Sequence, residues 1–389
     1  MEDQPIQVID RIRFLLFGRK QENTLGIVIP HKGASVSMWI LTNHTPFAAQ
    51  ESWTRDERGH EVWLIAIKAS FEVDPDGKQQ LLKDQTPVTL APVHGADPNE
   101  LLDETDLNIE KKHTDVLVDG HVYAAGGRPN RESAARIKVG DVDKTLRVVG
   151  DRVFMPGPVS VRLGQTEPFT KMPVSWRRTY GGTDMDASTP NWDQRNPIGT
   201  GFAVDPQRLI GKTGPNFEYP DAPYRDHRGG TPAGFGPVAR HWQPRIGYAG
   251  TYGDEWKKTR DPLLPRDFSR MYYQCAPEDQ QTKAPLLGYE DVRLGNFTED
   301  GFWQFLLPRI KFDLTTEFYN RPDRENGEAT IHTLRIRPGL RQFSITWMSA
   351  LPVPFDEERL KNTNLRIRPR TGISATVAAT GIWQPEENE

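Results

Sequence analysis

Apolar and polar residues alternate along much of the first half of the chain, with a period near two rather than the helical 3.6. The segment EVWLIAIKASFEV, Glu61 to Val73, is rich in Val, Ile and Phe and runs into Asp74-Pro75-Asp76-Gly77, which predicts a strand feeding a turn. HTDVLVDGHVYAA, His113 to Ala125, predicts a β-hairpin, because Asp119-Gly120 is a preferred two-residue loop between alternating flanks. ARIKVG and KTLRVVG add two strands around Asp141-Val142-Asp143, and PVSVRL and PVSWRRTY continue the series. About seven short strands with frequent turn signals predict an all-β sandwich or barrel-like core.

From Gly181 to Pro308 the texture changes. NPIGTGF, GPNFEYP, TPAGFGP, WQPRIGYAGTYGDEW and RDPLLPRDF place a proline every few residues. Proline removes a backbone donor, so long helices and central strands are excluded there. The same stretch is full of Trp, Tyr and Phe, which a disordered linker lacks. It predicts an ordered, irregular layer wrapped on the sheets, with a short helix from Asp267 to Cys275 ended by Ala276-Pro277. After Pro308, ATIHTLRIRP, RQFSITWMS and NLRIRPRTGISATV predict strands again, with a helical turn at DEERLKN and a frayed PEENE end. Residues 1–37 form an N-terminal extension with a short amphipathic stretch, Ile9 to Phe17. The fold class that results is mainly β: sandwich-like antiparallel sheets, a long Pro/Gly/aromatic-rich layer and few short helices.

Composition narrows the function. The chain has 389 residues, with Lys+Arg 49 against Asp+Glu 53 and a formal net charge of −4. Its pI near 6.2 supplies no counter-field for phosphates, so a dedicated nucleic-acid binder is not expected. Cys275 is the only cysteine, which excludes an intrachain disulfide and fits a reducing compartment. The N-terminus opens on acidic residues and its longest early apolar run is Phe14 to Phe17, unlike a secretory signal. No run approaches the ~20 apolar residues of a membrane span. These features predict a soluble, cytoplasmic protein.

Motifs for chemistry are weak. Gly211-Lys212-Thr213 has the end of a phosphate loop, but the required upstream Gly is Pro206. Gly234-Phe235-Gly236 matches a loose dinucleotide spacing without a preceding strand, and Pro237 interrupts it. In the predicted hairpin Val118 pairs with His121 and Leu117 with Val122, so His113 and Asp115 project opposite His121 and no metal site using Asp119 as well can form. The adjacent acids Asp254-Glu255, Glu278-Asp279 and Glu357-Glu358 point apart on an extended chain. There is no Gly-x-Ser-x-Gly elbow, and Cys275 has no neighbouring His to lower its pKa. The residues predict no catalytic group, no metal and no cofactor. A sugar-binding module or a two-carboxylate glycosidase built on the Trp-rich loops is the alternative.

The ordered series LTNHTPFAAQ, WLIAIKASFEV, KKHTDVLVDGHVYAAGG, PFTKMPVSWRRTYGG, RNPIGTGF, PNFEYP, the long run from PAGFGPVARHWQPRIGYAGTYGDEW to MYYQCAPEDQQ, and GYEDVRLGNF resembles the family called "domain of unknown function 2169". The resemblance spans 38–308 and leaves 309–389 as C-terminal strands and tail. It implies a cytoplasmic adaptor or chaperone that binds a type VI secretion effector and helps load it onto the VgrG spike or its tip protein. The family has no agreed catalytic residues, so none is carried over. For such a role, large rings and guanidinium groups are favoured anchors. Trp176, Arg177, Arg178, Tyr180, Trp256 and Arg260 are the expected partner-binding residues. On a strand, Trp176 and Arg178 share one face and Arg177 takes the other. The identity of the effector and the oligomeric state are not encoded in these motifs.

Overall fold

In the computed structural model, residues 39–224, 229–354 and 357–369 are described. The extension 1–37, the PEENE end and the far part of NLRIRPRTGISATV lie outside them. Three main sheets organise the chain. The central six-stranded sheet runs Ala48–Arg55, Glu61–Val73, Gln342–Pro352, Thr330–Arg337 and Asp115–Val118, with Gln79–Leu81 returning against the end of Glu61–Val73. All neighbours are antiparallel except Asp115–Val118, which lies parallel to Thr330–Arg337. The five-stranded sheet runs Phe217–Glu218, Val142–Val149, Glu132–Val139, Asp291–Gly295 and Phe302–Leu306. The four-stranded sheet runs Ile40–Asn43, Leu360–Ile367, Phe312–Phe318 and Arg324–Glu325. The architecture is mainly β with mostly antiparallel sheets.

Both smaller sheets pack on one face of the central sheet. Phe343 stacks on Phe71 beside it at 5.0 Å and on Phe305 of the five-stranded sheet at 4.6 Å. Trp347 meets Phe312 of the four-stranded sheet at 5.4 Å. The other face is covered by the chain between the central strands, where Val62, Leu64 and Ala66 pack under Val88 and Ile109. The Glu61–Val73 strand is therefore buried on both sides over most of its length, and Val62 to Ile67 is a continuous apolar run rather than an in/out alternation. The segment past residue 308 supplies Gln342–Pro352, which pairs along the whole of Glu61–Val73 and fills the middle of this sheet.

The expected hairpin at Asp119-Gly120 does not form. Asp115–Val118 takes the longer Thr330–Arg337 strand as its partner, and the Asp119 N–H continues the ladder to the Ile336 carbonyl at 2.9 Å. Gly120, at φ 147°, then turns the chain out of the sheet, and His121–Tyr123 pairs with Lys171–Pro173 instead. An eight-residue partner outbids a local two-residue turn, which is tertiary override of turn propensity. The neighbouring hairpin does form, with Val142 opposite Val139 across Gly140-Asp141.

The irregular layer is real but ends earlier than its composition suggests, because Asp291–Gly295 and Phe302–Leu306 are regular members of the five-stranded sheet. The helix expected from Asp267 to Cys275 is a single 3-10 turn, Arg270–Tyr273. Ser269 caps it, while the Asp267 carboxylate is held by the Thr251 N–H and hydroxyl at 3.0 and 2.7 Å. Among the described residues the one α-helix is Asp254–Thr259, in a stretch read as loop. The turn expected at DEERLKN is the 3-10 turn Glu357–Arg359.

Candidate functional site

PVSWRRTYGG begins as a 3-10 turn rather than a strand. The Ser175 hydroxyl accepts from the Arg177 N–H, and the Thr179 N–H closes onto the Trp176 carbonyl. Asn196, buried beneath, donates to the carbonyls of Trp176 and Tyr180 at 2.9 Å each and to the Thr179 hydroxyl at 2.8 Å. Tyr180–Gly181 then lies parallel to Thr200–Gly201. Gly181 sits at φ 143°, and a Cβ there would fall 2.2 Å from the Asn196 carbonyl oxygen, so only glycine fits. The face assignment based on a strand, with Trp176 and Arg178 on one side, is replaced by this turn.

The turn drives Trp176 inward. Its ring meets Trp242 edge-on at 5.7 Å and its Nε1–H donates to the Pro237 carbonyl at 3.0 Å. A Cβ on Gly234 would lie 2.9 Å from the indole, so the Gly234-Phe235-Gly236 spacing makes room for a tryptophan. Tyr180 is buried in a second cluster with Phe154, Val161, Leu209 and Tyr224. Trp256 is buried in a third place, against Tyr252 at 4.8 Å, with its Nε1–H on the Leu263 carbonyl. Arg260 is half-buried and donates to the carbonyls of Glu57 and Leu264. Arg178 is half-buried and donates to Asp151 and Asn216. Arg177 alone of the six is exposed. The structure thus distributes the expected anchors over three clusters and occupies most of them internally.

An acidic strap, missed in the sequence reading, explains where the arginines go. ADPNELLDETDLNIE, residues 96–110, carries six acids. Asp97 and Glu100 pair with Arg177 at 3.3 and 3.0 Å. Glu104, buried, pairs with Arg240 at 2.7 Å and Arg245 at 2.5 Å, and both guanidiniums stand over the Tyr272 ring. Asp103 pairs with Arg335 at 2.7 Å, Asp106 with Lys68 at 2.9 Å, and Glu110 with Arg270. Burial alone would raise the Glu104 carboxyl, but Arg240 and Arg245 outweigh it and hold the group well below the usual carboxylate range. The density of acids over residues 96–110 was visible in the sequence, but their partners, spread from Lys68 to Arg335, were not.

The remaining buried chemistry is also committed. Asp115 accepts from the backbone N–H groups of Cys275 and Ala276, from Gln274 Nε2 and from Lys111 Nζ at 2.7 Å. Burial, reinforced by the nearby Asp115 carboxylate, pushes the Cys275 thiol up, away from the reactive thiolate. His113 bonds the Thr282 carbonyl through Nδ1 at 2.6 Å, on a different course from His121 in its own short sheet. Among the described residues no three His, Cys, Asp or Glu side chains are gathered to hold a metal ion. Lys144 Nζ donates to the Gly234 carbonyl at 2.6 Å, Gln280 Oε1 at 2.8 Å and Asp279 at 2.9 Å, and burial pushes its pKa down to about 8. Its three donors are all spent pinning the irregular layer to the Val142–Val149 strand.

The Tyr180 cluster has an outward consequence. Phe154–Pro156 and Val161–Leu163 form a small antiparallel hairpin whose inward residues, Phe154 and Val161, rest on Tyr180 and Tyr224. Residues 211–213 run along its other edge, with the Phe154 N–H on the Lys212 carbonyl and the Gly211 N–H on the Phe154 carbonyl, both at 2.9 Å. Among the described residues no helix is long and apolar enough to cross a membrane.

Comparison with known proteins gives one match. The family model described as "Uncharacterized protein conserved in bacteria (DUF2169)" matches residues 58–348. No curated protein and no solved structure matches the chain.

Proposed function

The chain belongs to the DUF2169 family, and from that membership we propose that it is a cytoplasmic adaptor which binds a type VI secretion effector and helps load it onto the VgrG spike or its tip protein. The resemblance of the ordered motifs supports this role. One structural observation carries the choice of a binding scaffold over a catalyst: the groups that chemistry would need are engaged internally. Glu104 is neutralised by two arginines, Asp115 accepts four donors, and the Cys275 thiol is driven up by burial. A sugar-binding role finds less support, because the indoles of Trp176, Trp242 and Trp256 are packed against neighbours, while Trp192 is the exposed one in that half. Stacking on a sugar needs an open ring face.

An adaptor holds its client on one surface and surrenders it at another site, so moderate affinity and a rigid presenting scaffold are expected. The direct test is co-expression of the tagged chain with candidate type VI toxins from the same genome and with VgrG. Recovery of a stoichiometric complex with the toxin is the expected result. A chain that recovers neither protein, while folded, contradicts the role.

A further inference from the structure

The hairpin Phe154–Leu163 ends in a tip that the fold itself does not use. From Met155 to Val159 the sequence is MPGPV, and Met155, Pro156, Pro158 and Val159 are all exposed, Val159 at 99%. Its turn closes through the Gly157 N–H on the Ser160 carbonyl at 2.6 Å, and a Cβ on Gly157 would strike that same oxygen. Two prolines fix φ within the tip, so little conformational entropy remains to be lost on binding. Residues alternate across the strands: Phe154 and Val161 point into the Tyr180 cluster, while Met155 and its cross-strand partner Arg162 point away from it. Val153 is exposed on the same outward row. Among the described residues neither Arg162 nor the nearby exposed Lys212 has an ion-pair partner. That contrasts with Arg177, Arg240, Arg245 and Arg335, which the acidic strap neutralises.

We infer that this hairpin is a docking finger: Met155, Pro156, Pro158 and Val159 insert into an apolar groove on the client protein, and Arg162 and Lys212 pair with carboxylates on its rim. The inference rests on the adaptor reading and gives it a surface. An exposed apolar tip costs solubility unless something covers it, and a rigid, proline-set hairpin loses little freedom on being covered. The two cations choose the partner's chemistry, since carboxylates beside an apolar groove complement them while a basic client would be repelled. The aromatic motif acquires its role here: Tyr180 is the floor on which the finger stands.

The test measures affinity of the purified chain for the co-purifying effector with Val159→Asp, Met155→Asp and Arg162→Glu. Val159→Ser serves as a milder variant should an acidic tip impair expression. All positions are exposed, so thermal unfolding should stay within a few degrees of wild type. Each acidic variant is expected to weaken effector binding by at least about tenfold, and the Arg162→Glu defect should shrink as salt screens the charge. Folded variants that bind the effector like wild type overturn the finger and leave the adaptor role standing. A wild-type chain that captures no effector overturns both. Wild-type binding to anionic phospholipid vesicles that Val159→Asp abolishes, with effector binding unchanged, also overturns it, because the tip would then be a membrane probe.

Discussion

Trp176 and Arg177 are adjacent in sequence and opposite in fate. The indole is wedged between Trp242 and the Gly234 backbone, whereas the guanidinium reaches solvent and two carboxylates. Truncating the ring should cost about 3–5 kcal/mol, as large buried aromatics do. Exposed ion pairs contribute ~0–1 kcal/mol, so Arg177→Ala should move the melting temperature by only a few degrees. Arg178→Ala, which also loses a bond to Asn216, should fall between the two. Calorimetric melting of the three variants checks the order. Glu104 makes a second residue-scale prediction. Its folded pKa lies below the ordinary 4.5, so the folded state releases this proton more readily than the unfolded chain. The stability it contributes is complete above pH ~4.5 and is lost as pH falls through the folded value. Glu104→Gln removes the Glu104 counter-charge from the buried Arg245 guanidinium and should cost about 3–5 kcal/mol at pH 7. Urea midpoints of wild type and variant should converge as the buffer is taken well below pH 4. A gap that stays constant with pH would show that the carboxylate charge is not what Glu104 supplies. At this scale the sequence showed which residue types were present, but not which arginines had partners, because the six acids of residues 96–110 lie far from them along the chain.

Elements were legible where the apolar pattern is long. Glu61–Val73, Thr330–Arg337 and Gln342–Pro352 stand where the β-branched and aromatic runs placed them. Local turn chemistry was a poorer guide. Asp119-Gly120 has the composition of a hairpin loop, yet the Asp119 N–H and carboxylate serve the Thr330–Arg337 strand instead. PVSWRRTY has strand composition, yet the Ser175 cap and the three Asn196 bonds wind it into a turn. The Thr330–Arg337 strand and Asn196 lie more than ten residues from the segments they redirect, beyond any local window, and the Ser175 cap adds a local contribution within PVSWRRTY itself. The glycine-rich stretch around Gly234 yields a prediction of its own. Because a Cβ there collides with the Trp176 ring, Gly234→Ala should displace the indole and loosen the layer that Lys144 pins at the Gly234 carbonyl. A red-shifted tryptophan emission and a melting temperature lowered by several degrees are expected. An unchanged spectrum would show that the ring does not lean on that backbone.

For the whole molecule, three sheets form one core, and the irregular layer with its acidic strap is tied down by buried ion pairs and aromatic contacts. That arrangement explains why, among the described residues, most of the Trp and Tyr rings are withheld from solvent. The expected anchors form the frame, and the groups left over at the surface are the ones available to a partner. The fold class was readable because strand periodicity and proline density are properties of whole segments. The proposed docking surface was not, because exposure belongs to the assembled molecule: Val159 is an ordinary valine in the sequence and the most exposed large hydrophobic residue among the described ones. The most direct test of a scaffold that presents rather than touches is hydrogen exchange of the chain with and without the proposed effector. The account predicts that amides of 175–182 are protected already in the free chain and unchanged by the effector, while protection rises at 153–163. A rise confined to 175–182, with the hairpin unaffected, would contradict it.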